Sequence, residues 1–164
     1  MNRSPKWTAR AVSAAGLMTA ALMVASAAHA ESPFGALQGS WSGSGSVQFE
    51  GGQSERLRCT AYYTSGSGGN ELGLAIRCAS ASNKIELRGR LTYADGNVSG
   101  TWEERTYNAT GTASGKANSG NVSLRLAGAI PGTMNLTFSK ARQSVAISTQ
   151  GSKVKAVNIG LSRR

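Results

Sequence analysis

Few residues of this chain have types and spacings that could do chemistry, and they narrow its function mainly by what they cannot do. Glu103 and Glu104 are adjacent, so in an extended segment their carboxylates project to opposite faces and cannot flank one bond as an acid and a base. The one histidine, His29, sits in an N-terminal stretch that reads as a secretory signal. Its removal would leave no histidine for a Ser-His-Asp triad, a metal site or a pH switch. No glycine-rich phosphate loop precedes a helix. From this inventory the chain is expected not to be an enzyme, with no cofactor and no metal.

The signal reading rests on Arg3, Lys6 and Arg10, then an alanine-rich apolar stretch from Ala11 to Ala28, then Ala28-His29-Ala30 as a small-x-small cleavage site. Cleavage is expected before Glu31, leaving a soluble chain that is periplasmic or secreted. No other stretch is apolar enough to span a bilayer as a helix. In an oxidising compartment Cys59 and Cys78 are best read as a disulfide. It would close a loop of about 20 residues, for which chain entropy gives about 3 kcal/mol.

Beyond Gly39 the pattern is period-two alternation broken about every ten residues by turn chemistry, the mark of an antiparallel all-β fold. Turns are expected at Gly51-Gly52, Ser65 to Asn70, Asp95-Gly96, Ser119-Gly120, Pro131-Gly132 and Gln150-Gly151. Strands are expected at 40–49, 55–64, 72–79, 84–93, 97–107, 110–117, 121–128, 133–140, 143–149 and 152–162. A two-residue turn at Asp95-Gly96 sets Tyr93 against Val98, Leu91 against Gly100, Gly89 against Trp102 and Leu87 against Glu104. Pairing Cys59 with Cys78 sets Ala61 against Ile76 and Tyr63 against Leu74, which keeps both apolar sets on one face. In the last strand Val154 and Ala156 alternate out of phase with Val157, Ile159 and Leu161, so a bulge near Ala156 or Val157 is expected.

A sheet with one apolar face and no helix to cover it can close on itself. The expected architecture is an up-and-down antiparallel β-barrel of about eight to ten strands over residues 39–164. Residues 31–38 would be an arm or plug, with Phe34 and Leu37 either docking in a partner or filling the barrel base. Inward Gly43, Gly45, Gly100, Gly111, Ala113 and Gly115 leave space on one side, taken up either by Trp41 and Trp102 or by a ligand. Trp41, Leu91, Tyr93, Trp102 and Glu104 are the candidate interior ligand contacts. Glu104 is either a polar contact near the mouth or the partner of Arg88, Arg105 or Arg163 in an ion pair.

Gly39-Ser40-Trp41, at the start of the first strand, resembles the Gly-x-Trp element of lipocalins, and Gly100-Thr101-Trp102 repeats the spacing. The resemblance to this calycin group implies a tryptophan closing the narrow end, crossed by an arginine from a late strand, here Arg163 or Arg142. The chain is loosely similar as well to small periplasmic barrels that inhibit metalloproteases through an N-terminal arm.

The full chain has 18 basic and 8 acidic residues. Every acidic residue lies at or before Glu104, whereas Arg105, Lys116, Arg125, Lys140, Arg142, Lys153, Lys155, Arg163 and Arg164 follow without one. Lys116, Arg125, Lys153 and Lys155 are expected to point outward and make one wall electropositive, a surface for anionic envelope material. Nucleic acid is not expected, because the outward positions lack interleaved aromatics. The function expected is therefore binding, either of a small apolar molecule inside or of anionic material outside. The alternative is inhibition or assembly of another envelope protein through the arm.

Overall fold

A computed structural model describes residues 31–164; the expected signal segment lies outside the described residues. Ten antiparallel strands follow one another around a closed barrel: β1 Gly39–Phe49, β2 Ser54–Ser65, β3 Glu71–Ala79, β4 Lys84–Ala94, β5 Asn97–Glu104, β6 Ala109–Asn118, β7 Asn121–Gly128, β8 Gly132–Phe138, β9 Arg142–Thr149 and β10 Val154–Arg163. Each strand pairs with its sequence neighbours, and β10 returns to β1. Closure leaves no free edge.

The alternation sorts the side chains. Leu57, Cys59, Ala61 and Tyr63 of β2 and Leu72, Leu74, Ile76 and Cys78 of β3 all face inward and are buried. Both expected registers occur: Tyr93 faces Val98, Leu87 faces Glu104, Cys59 faces Cys78 and Tyr63 faces Leu74. Asp95 and Gly96 take positive φ values of 47° and 83°, as a tight hairpin turn requires. Cys59 and Cys78 are joined by a disulfide.

Three local expectations are corrected. The bulge lies one residue earlier than expected: Gln48 pairs with Ala156 and Phe49 with Val154, so Lys155 is the extra residue that lets Val154 join the partly buried core. The fifth strand stops at Glu104 rather than running to Tyr107, because residues 105–108 form a turn in which Asn108 has φ 53°. The inward glycines do not leave ligand space. A Cβ at Gly43 or Gly100 would stand within 2.0 Å of a carbonyl oxygen on the neighbouring strand, so these glycines permit close backbone approach where strands coil sharply.

The two ends of the barrel differ. At the end where β1 begins, Pro33–Ala36 forms a short 3-10 turn, started by the Ser32 hydroxyl accepting the Phe34 N–H. Phe34 and Leu37 are fully buried, with Phe34 edge-on to Tyr93 at 6.0 Å between ring centroids. Trp41 donates its indole N–H to the Leu37 carbonyl at 2.7 Å. Arg163, not Arg142, crosses Trp41. At the same end, the Tyr63 hydroxyl donates to Gln143 Oε1 at 2.8 Å, and burial holds its phenol well above the ordinary tyrosine value.

Candidate ligand site at the barrel mouth

At the opposite end, where β4 begins and β5 ends, the core is incomplete. A cavity of about 70 Å³ remains there, walled by Ile85 and Leu87 of β4, Trp102 of β5, Leu126 of β7, Ile147 of β9 and Val157 of β10. Ile130, Tyr107 and Ser152, from three mouth loops, complete it, with Glu104, Thr149 and Val154 at strand ends. The walls are apolar because the period-two pattern turns one side chain in two inward on every strand. The polar groups lie at the rim.

Trp102 is fixed on two sides. Its indole N–H donates to the Thr112 carbonyl at 3.1 Å. The ring lies against Gly111, its register partner on β6, where a Cβ would meet it at 2.7 Å. The room for this indole is thus made by Gly111.

Glu104 is buried and makes none of the three ion pairs considered for it. Oε1 accepts the Glu86 N–H at 2.7 Å and Oε2 accepts the Tyr107 N–H at 2.6 Å. One carboxylate therefore ties the turn after β5 to the start of β4, and it holds Tyr107 beside the cavity. A carboxylate bonded through both oxygens to backbone donors is a fixed anchor. The half-buried Glu86 takes the arginines instead, lying 2.8 Å from Arg88, 3.5 Å from Arg77 and 3.6 Å from Arg105. The Arg88 hydrogen bond, with the neighbouring charges, holds Glu86 below the usual carboxylate range.

Of the interior candidates, Trp102 and Glu104 meet at this cavity. Trp41 and Tyr93 are at the closed end, and Leu91 is buried between the two. Sequence reasoning missed Ile130, Tyr107 and Ser152 as lining residues, because all three sit in turns that reach the mouth only when the barrel closes. The candidate basic wall is divided. Lys116 and Arg125 lie on β6 and β7, whereas Lys155 is on β10 beyond β8 and β9 and pairs with Glu50 at 3.3 Å; Lys153 is in the loop before it.

No protein-family model matches the chain, and no curated protein matches it in sequence. Solved structures do match in shape. Rv2717c from M. tuberculosis superposes with a TM-score of 0.64 at 14% identity, over 79% of this chain and 93% of that one. The S-type phycobiliprotein lyase CPES from Guillardia theta superposes with a TM-score of 0.52 at 14% identity, over 80% of this chain and 89% of that one. The fold is thus a closed antiparallel barrel of the calycin-like kind.

The lyase corrects one expectation. A protein named as a lyase is built on a matching barrel, so the expectation that this chain is not an enzyme does not hold for such a fold. Among the described residues, no helix is long and apolar enough to cross a membrane. The disulfide is compatible with an oxidising compartment.

Proposed function

We propose that this chain is an exported, lipocalin-like barrel that binds an elongated apolar molecule by one end, in the cavity between Trp102, Leu126 and Ile147. The observation that carries the reading is the contrast between the two ends: the Phe34 end is filled, whereas the mouth keeps an apolar hollow with a polar rim. A hollow of about 70 Å³ is smaller than a whole drug-sized ligand requires, so the ligand enters with a chain or ring edge and its remainder extends past the rim. Glu104 acts as a positioning residue, since its backbone bonds hold Tyr107 where the ligand leaves the cavity.

Three further points support this reading. The walls are apolar, as sites for such ligands are. The Trp41–Arg163 stack fits the closed end implied by the lipocalin resemblance. One matching barrel carries the name of a lyase, an activity that requires a bound substrate.

Native mass spectrometry of the protein isolated from its own envelope fraction tests both export and binding. The expected result is a chain beginning at Glu31 with an added mass that is lost on denaturation. A bare chain that also takes up no alkyl alcohol would contradict the reading.

A further inference from the structure

The outer wall of β1 to β5 carries a second, unassigned feature. Short outward side chains there leave a run of shallow hollows that share residues. The hollow beside Arg56 shares Ser44, Arg58 and Ala79 with the next, which shares Thr60, Arg77 and Arg164 with a third. That one shares Tyr62 and Ala75 with a last hollow bounded by Arg88 and Arg90. From Arg56 to Thr64 along β2 the trough extends about 25 Å, at about 3.3 Å per residue.

The trough is cationic, and most of its charge is free. Arg56, Arg58, Arg90 and Arg164 make no ion pair among the described residues. Glu86 engages Arg77 and Arg88, and Glu103 is the other acid on the lining. The floor is low, formed by small residues, with the hydroxyls of Ser42, Ser44 and Thr60 beside Gly73 and Ala75. Tyr62 stands up from it, one of two large exposed apolar side chains among the described residues.

We infer that this trough binds a linear acidic polysaccharide. Arginine forks suit the carboxylate or sulfate groups of such a chain. The serine and threonine hydroxyls can exchange hydrogen bonds with sugar hydroxyls, and the Tyr62 ring offers a flat face for one sugar. A single aromatic does not make the stacking series that single-stranded nucleic acid uses, and a convex barrel wall touches a flat bilayer only along a line.

The test is calorimetric titration of the purified chain with heparin and with polygalacturonate at physiological salt. A single-stranded oligonucleotide and phosphatidylglycerol vesicles serve as comparison ligands. The expected result is saturable binding of at least one polysaccharide, weakened about tenfold or more in Arg58→Glu/Arg77→Glu. Lys116→Glu/Arg125→Glu, an equal charge change away from the trough, should shift it by no more than about twofold. Arg58→Gln/Arg77→Gln should also weaken binding and guards against misfolding of the charge-reversed variant. Equal losses in the two charge-reversed variants, undiminished binding in the glutamine variant, tighter binding of oligonucleotide or vesicle, or no polysaccharide binding would each overturn the inference.

Discussion

Arg163 lies over Trp41 with its guanidinium carbon 4.3 Å from the ring centroid, and its three nitrogens reach the carbonyls of Ala36, Gln38 and Lys140. One side chain from the last strand therefore fastens the N-terminal segment, the first strand and the β8–β9 turn together. Arg163→Ala should lower stability by about 2 kcal/mol, from charged hydrogen bonds and a cation–π contact at a partly solvated site. Arg163→Lys should restore less than half of this, because an ammonium cannot span the three carbonyls. Urea denaturation of the three proteins checks the order, and equal midpoints for lysine and arginine would contradict it.

The disulfide joins directly opposed, inward-facing residues of β2 and β3, 19 positions apart in sequence. Replacing both cysteines with alanine should cost about 3 kcal/mol, chiefly by freeing the unfolded chain. The barrel should still form, since eight other strands keep their pairings. Thermal melts with and without reductant would show a drop for the native protein and none for the variant.

Acid should remove a definite part of the stability. Hydrogen bonds from Ser80 and Ser82 hold Glu55 below its ordinary value of 4.5, and the arginines do the same for Glu86. Because both folded values are depressed, the stability they contribute is fully present above the ordinary carboxylate range and is lost as pH falls through the folded values. Glu86→Gln should therefore melt below the native protein at about pH 7, with the gap narrowing as pH falls below the ordinary carboxylate range. A gap independent of pH would rule out the arginine cluster as its source.

The barrel was largely legible because a one-residue slip would turn every strand inside out. Asp95-Gly96 and the cysteine pair then fix two registers outright. The mouth was only half legible. Trp102 and Glu104 follow from alternation, whereas Tyr107, Ile130 and Ser152 depend on loop paths. The charge distribution along the chain differs from that on the folded surface. Counting acids along the chain made the C-terminal half look most basic. The fold withdraws two N-terminal acids from the β1–β5 wall: Glu104 faces inward and Glu50 pairs with Lys155. The β2–β4 arginines are left in excess there.

The central claim is that the mouth cavity takes an apolar chain end. Calorimetric titration with 1-octanol, run on the native protein and on Val154→Phe, tests it most directly. Val154 lines the cavity and is only partly buried, so the larger ring should fill the hollow at a stability change of about 1 kcal/mol or less. The predicted result is saturable binding of one octanol by the native chain, weakened about tenfold or more in the variant at nearly unchanged melting temperature. No saturable heat, or equal affinity in the two proteins, would contradict the account.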